Sequence, residues 1–157
     1  MDNKRLNEFL DEVFYKLKEA GIDVSDMQLD HVAYQTKNKQ EYENLTGKVS
    51  KFYKNLWEIV IDNRRISVNE FTPHIKYRNY VISAIEIVEP KDNEKCNSYF
   101  QHAEFVITCE FPDLINKYPN LDWNTTHIFR KDFPRLKLEL GNTIEVKFHH
   151  ASILAKK

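Results

Sequence analysis

Two stretches of this chain, DHVAYQ at residues 30–35 and QHAEFVI at residues 101–107, open as strands with a histidine in second place, and the same succession of elements follows each. In MQLDHVAYQT, Leu29, His31 and Ala33 alternate with Asp30, Val32 and Tyr34, the pattern of a half-buried strand. KNKQEYENLTGKVSKFY then spaces Tyr42, Leu45, Val49 and Phe52 for a helix. From Trp57 to Pro90 the residues turn β-branched and aromatic: LWEIVID, RRISVNEF and IKYRNYVISAIEIVE read as three strands, with turns at NRR and TPH. PKDNEKCNSY has the character of a linker.

After it the order returns. FQHAEFVIT is a strand, FPDLINKYP a short helix with Pro112 in its first turn and Pro119 at its end, and WNTTHIF, RLKLEL and TIEVKFHHASILA are three more strands. The chain therefore reads as βαβββ written twice, an α+β fold. The two halves share element order, with little residue identity to support it. Ahead of the first copy, Leu6, Phe9, Leu10, Val13, Phe14 and Leu17 form a one-sided helical stripe that Gly21 can stop. We expect one domain over residues 1–157: a helical extension (1–28), a first module (29–90), a linker (91–99) and a second module (100–157).

The charge balance, 23 basic against 24 acidic residues without long blocks of either sign, argues against a nucleic-acid or anionic-membrane partner. Cys96 and Cys109 have no metal-ribbon spacing, charges interrupt the first residues where a signal peptide needs an apolar core, and no apolar run approaches ~18 residues. The expectation is a cytoplasmic protein that binds a small molecule, as a monomer or a homodimer. Three glycines leave no room for a phosphate-cradling loop, and no Gly-x-Ser-x-Gly elbow occurs.

The repeated module resembles the vicinal oxygen chelate superfamily over residues ~29–153, and LDHVAY, IDNRRI, VEP, HAEFVI and above all VKFHHASI make the whole chain similar to the YecM family, a branch with that fold. In metal-binding members of the superfamily the ligands come from the first and last strand of each module and face a cleft. That resemblance implies a divalent metal (Zn, Ni, Co, Mn or Fe) on His31, Glu86, His102 and Glu145. Glu89 is the alternative to Glu86 should a bulge shift the strand, and His149, which alternation puts on the face of Glu145 and Lys147, is the alternative last ligand. It also implies isomerase or lyase chemistry on a substrate with adjacent oxygens, or binding of such a molecule without turnover; dioxygenation would need Fe(II) on His31, His102 and Glu145.

The residues carry part of this reading themselves. A carboxylate within Ile85-Glu86-Ile87 or Ile144-Glu145-Val146 is costly to bury unless paired or metal-bound, although alternation also allows Glu86 to face solvent. Glu104 falls on the face of His102 and is the candidate base, or else a partner of Arg78 or Lys147. Arg64 and Arg65 are candidates to hold a substrate carboxylate, whereas His74 and His127 have no supporting spacing.

Overall fold

A computed structural model describes residues 3–47 and 52–155. The first element, α1 (Asn3–Glu19), buries Leu6, Phe9, Leu10, Val13 and Leu17 along the stripe seen in the sequence. Its end is a Schellman turn: Gly21 (φ 72°) donates to the Lys18 carbonyl at 3.0 Å, and Ile22 to that of Leu17 at 2.9 Å. The left-handed backbone there suits glycine, and Lys16 and Lys18 complement the helix dipole.

By its contacts the chain divides into two compact units: one spans His31–Gln101, and the other joins the chain up to Asp30 with everything from His102 on. In the first unit, β1 (Gln28–Gln35) is followed by α2 (Lys39–Thr46), β2 (Tyr53–Ile61), β3 (Arg64–Tyr77) and β4 (Tyr80–Val88). β1 runs parallel to β4, β4 antiparallel to β3, and β3 antiparallel to β2. The Asn38 side chain caps α2 by accepting from the Glu41 amide at 2.8 Å, and the Glu41 carboxylate accepts from the Lys37 amide at 2.7 Å. The helix is eight residues long and is capped at Gly47; of the residues expected to continue it, Val49 lies outside the described residues and Phe52 is not helical.

Asp62 and Asn63, both at positive φ, make the β2–β3 turn, a two-residue loop whose twist matches the flanking strands. The turn expected at Thr72-Pro73-His74 is absent. β3 continues through it and reverses only at Arg78-Asn79, so IKYRNYVISAIEIVE is a hairpin and not one strand.

In the second unit β5 (Tyr99–Val106), which begins in the residues before His102, leads to α3 (Phe111–Lys117), β6 (Trp123–Asn124), β7 (Leu136–Glu139) and β8 (Glu145–His149). β5 and β8 are parallel, and β8, β7 and β6 antiparallel in turn. Both modules are thus βαβββ. β6 is far shorter than expected because the Asn124 side chain accepts from the Thr126 amide at 3.0 Å, turning the chain away. After β8 the expected strand gives way to a 3₁₀ turn, Ile153–Ala155, where the Ser152 hydroxyl accepts from Leu154 at 3.2 Å.

Alternation divides the strands of the second unit chemically. Phe105 and Phe148 stack with centroids 5.9 Å apart; Phe14 of α1 meets Phe105 edge-on at 6.1 Å, and Trp123 meets Phe148 at 5.8 Å. The opposite face of β5 and β8 is free to carry polar groups.

Candidate functional site

The parallel register of β5 and β8 places His102 opposite Glu145, Glu104 opposite Lys147 and Val106 opposite His149. Five ionisable side chains therefore line one face of two neighbouring strands. All but Glu145 are buried, and Glu145 is half-buried.

At their centre is Lys147. Its ammonium nitrogen lies 2.9 Å from Nε2 and 3.1 Å from Nδ1 of His102. The same nitrogen is 3.2 Å from Glu104 Oε1 and 3.5 Å from Glu145 Oε1. His102 Nε2 is in turn 3.1 Å from Glu104 Oε1. The side chains of Lys147 and Glu104 are only 9% and 3% exposed, so water screens this pairing little. Lys137, in register with Lys147 on β7, approaches the other oxygen of Glu145 at 3.6 Å.

Burial alone would push the Glu145 carboxyl up, but Lys147, His102 and Lys137 together hold it below the usual glutamate range. The Lys137 ammonium is pulled down, chiefly by burial and then by Lys147 and Arg135, against the opposing pull of Glu145.

His149 extends the set. Its Nδ1–H donates to the Ala151 carbonyl at 2.6 Å, since a carbonyl can only accept, and this aims Nε2 at Glu104 (3.6 Å) and Asp30 (3.9 Å). Asp30, fully buried, accepts from the Ile153 amide at 2.9 Å. The 3₁₀ turn after β8 thus anchors the acid that faces His149. Phe133 lies 4.9 Å from the His149 ring.

In the first unit His31 pairs with Ala84 and Ala33 with Glu86, so His31 and Glu86 share a sheet face one step apart. Ile85 and Ile87, buried on the other face, leave Glu86 half-buried on the histidine side.

Glu89, the alternative to Glu86, is engaged elsewhere: it receives Nε and Nη2 of Arg65 at 3.0 and 2.7 Å, plus the Arg65 backbone amide at 3.1 Å. This also removes Arg65 as a substrate clamp. Its guanidinium contacts Glu43 at 2.6 Å as well and lies over the Tyr42 ring at 4.6 Å, so its donors serve the first unit's own structure. Arg64 at the head of β3 is half-buried, and its Nε has no hydrogen-bond partner. His74 is exposed beside Glu70 at 3.3 Å. Burial, followed by Arg135 and Lys137, depresses His127.

Lys147 and Asp30 are the residues that motif reasoning passed over as site members. Alternation from Glu145 was the available signal for Lys147: a lysine between Val146 and Phe148 on a buried strand needs acidic partners.

A family model described as YecM protein matches residues 3–153. The chain belongs to the YecM family. An uncharacterised Haemophilus influenzae protein is 26% identical over 103 residues, 66% of this chain; the match spans about half (54%) of that relative's length. Among solved structures, a structural-genomics protein, EC4020, superposes with a TM-score of 0.76 at 18% identity, over 94% of this chain and 85% of its own. A methylmalonyl-CoA epimerase solved with methylmalonyl-CoA and NH4+ gives 0.58 at 8% identity, over 81% and 96% of the two chains. The Mycobacterium tuberculosis epimerase gives 0.52 at 11%, over 83% and 92%. The chain thus shares the fold of the vicinal oxygen chelate superfamily, to which these epimerases belong. No helix among its described residues is long and apolar enough to cross a membrane.

Imidazole and carboxylate donors suit a borderline divalent ion in type. Their arrangement in the second unit does not fit one as it stands, because the Lys147 ammonium already lies 2.9–3.5 Å from the donor atoms of His102, Glu104 and Glu145.

Proposed function

We propose that this YecM-family protein binds a small molecule with adjacent oxygens on the second unit's polar face and moves a proton on it, as an isomerase or lyase does. One observation carries the reading: an imidazole and two carboxylates gather around a single cationic nitrogen on a buried strand pair. A buried positive charge stabilises negative charge developing on a substrate oxygen, and a neighbouring carboxylate can receive the proton whose loss creates it.

The roles follow from position. Glu104 takes the proton from the carbon next to a carbonyl group, while an N–H of Lys147 donates to the oxygen where the charge collects. His102 Nε2 is within reach of both, and either accepts from Lys147 or, when it carries a proton, donates to Glu104. His149 Nε2 stands 3.6 Å from the other oxygen of Glu104, where a protonated imidazole would pair with it. The epimerase neighbours support this reaction class by fold. One of them is recorded with NH4+, which has the charge and the N–H donors of a lysine ammonium.

A second reading gives the cationic role to a divalent metal. It is favoured by the direct pairing of His102 with Glu145 and by the shared face of His31 and Glu86 in the first module, where Ala84 stands opposite His31 and Glu86 lies two residues on. Binding without turnover would use the same face.

The test is solvent deuterium exchange, followed by proton NMR, across a panel of 2-oxo acids, 2-hydroxy acids and acyl thioesters. Exchange at the carbon beside the carbonyl group should appear with at least one member and fall about 100-fold or more in Glu104→Gln. Ligand-induced shifts without exchange would assign the face to binding alone.

A further inference from the structure

We infer that Lys147 is the resident cation of this site, occupying the place among His102, Glu104 and Glu145 that a divalent metal would need, so that the protein works without a metal there. The inference rests on the reading of this face as the ligand site. Its own support is a triangle of short distances: His102 Nε2 to Glu104 Oε1, 3.1 Å; Lys147 Nζ to His102 Nε2, 2.9 Å; and Lys147 Nζ to Glu104 Oε1, 3.2 Å. A divalent ion bonded to both donors at ~2.1 Å would stand no farther than about 4 Å from the ammonium. The site is buried, so little water would screen the repulsion between them.

The charge balance points the same way. Glu104, Glu145 and the buried Asp30 that faces His149 carry three negative charges, against which Lys147 and Lys137 supply two positive ones, Lys137 reaching Glu145 at 3.6 Å, so a single negative charge is left to offset. A further doubly charged ion would leave the pocket with an uncompensated excess. Register makes the placement a property of the strands: Lys147 is fixed opposite Glu104 and flanks Glu145 by two residues on the same face. The lysine side chain is also long enough to bring its charge to the donors while its methylenes cover the strand.

Cobalt(II) titration of the full chain, read by visible absorption and by metal content after desalting, tests this. The wild type and Lys147→Arg, which keep the cation, should bind cobalt at least 100-fold more weakly than Lys147→Met, which opens the place and leaves the donors. Cobalt should also raise the melting temperature of Lys147→Met alone. Should Lys147→Met not fold, Lys147→Met/Glu104→Gln removes one buried carboxylate with the cation and serves the same comparison through His102 and Glu145.

Stoichiometric, tight cobalt in the wild type with no gain in the variant would overturn the inference, as would failure of both to bind. Because none of these readouts involves turnover, the proton-transfer reading stands or falls separately, on the Glu104→Gln exchange experiment.

Discussion

Arg65 holds Glu89 through two side-chain donors and its own amide, and the burial that raises the cost of leaving Glu89 unpaired also strengthens the pair. The guanidinium lowers the Glu89 carboxyl below its ordinary range, against the upward push of burial. A group with a depressed folded pKa stabilises above its unfolded value, about 4.3, and that contribution disappears as pH falls through the lower folded value. Glu89→Gln should therefore cost about 2 kcal/mol at neutral pH, discounted because Arg65 is partly exposed. Urea unfolding of the two proteins should show this gap at pH 7 and see it close below about pH 4; a constant gap across that range would mean the ion pair contributes nothing. The same residues show what sequence can and cannot reveal. Strand alternation was enough to put Glu104 with His102, and His149 with Glu145, on one face. It could not show that Arg65 is committed to Glu89, since that contact depends on the pairing of β3 with β4.

Strand and helix limits follow local chemistry that periodicity overrides on paper. Tyr42, Leu45, Val49 and Phe52 keep helical spacing, yet α2 ends at Gly47, whose amide donates to the Glu43 carbonyl at 2.8 Å. The β2–β3 hairpin is more demanding, because Asp62 and Asn63 have φ of 51° and 61°. Asparagine and aspartate tolerate the left-handed region, while a β-branched residue meets the following carbonyl. Asn63→Val should cost about 1–2 kcal/mol, whereas Asn63→Gly should cost nothing or stabilise slightly. Thermal melts of the pair test the turn directly: equal losses in both would show that the hairpin conformation is not what residue 63 supports. The turn was expected at Asn63, Arg64 and Arg65 from composition, and it begins one residue earlier, at Asp62, as the two-residue loop that matches the strand twist requires.

At the scale of the whole chain, the doubled βαβββ order was legible because each module repeats the same succession of periods, and both modules form in that order. The attachment of α1 was not legible: an amphipathic stripe states that a helix must bury one face without stating against what. In the structure α1 belongs with the second unit, where Phe14 meets Phe105 and the Asn142 amide reaches Glu12 at 3.5 Å. The helix therefore backs the apolar face of the strands whose opposite face carries His102, Glu104 and Lys147, and its packing bears on how firmly those groups are held. Leu10 is fully buried on this helix, and Leu10→Ala should cost about 3 kcal/mol through lost burial and the cavity left behind. Tyr15, exposed on the same helix with its hydroxyl donating to Glu19, supplies the contrast: Tyr15→Ala should change stability by less than about 0.5 kcal/mol. Denaturant unfolding gives both values, and amide hydrogen exchange at Phe105 and Phe148 should accelerate in Leu10→Ala while holding steady in Tyr15→Ala. Similar costs for the two substitutions, or unchanged exchange at those phenylalanines, would mean that α1 does not support β5 and β8, and the rigidity of the histidine–carboxylate face would have to come from the strands and the 3₁₀ anchor at Asp30 alone.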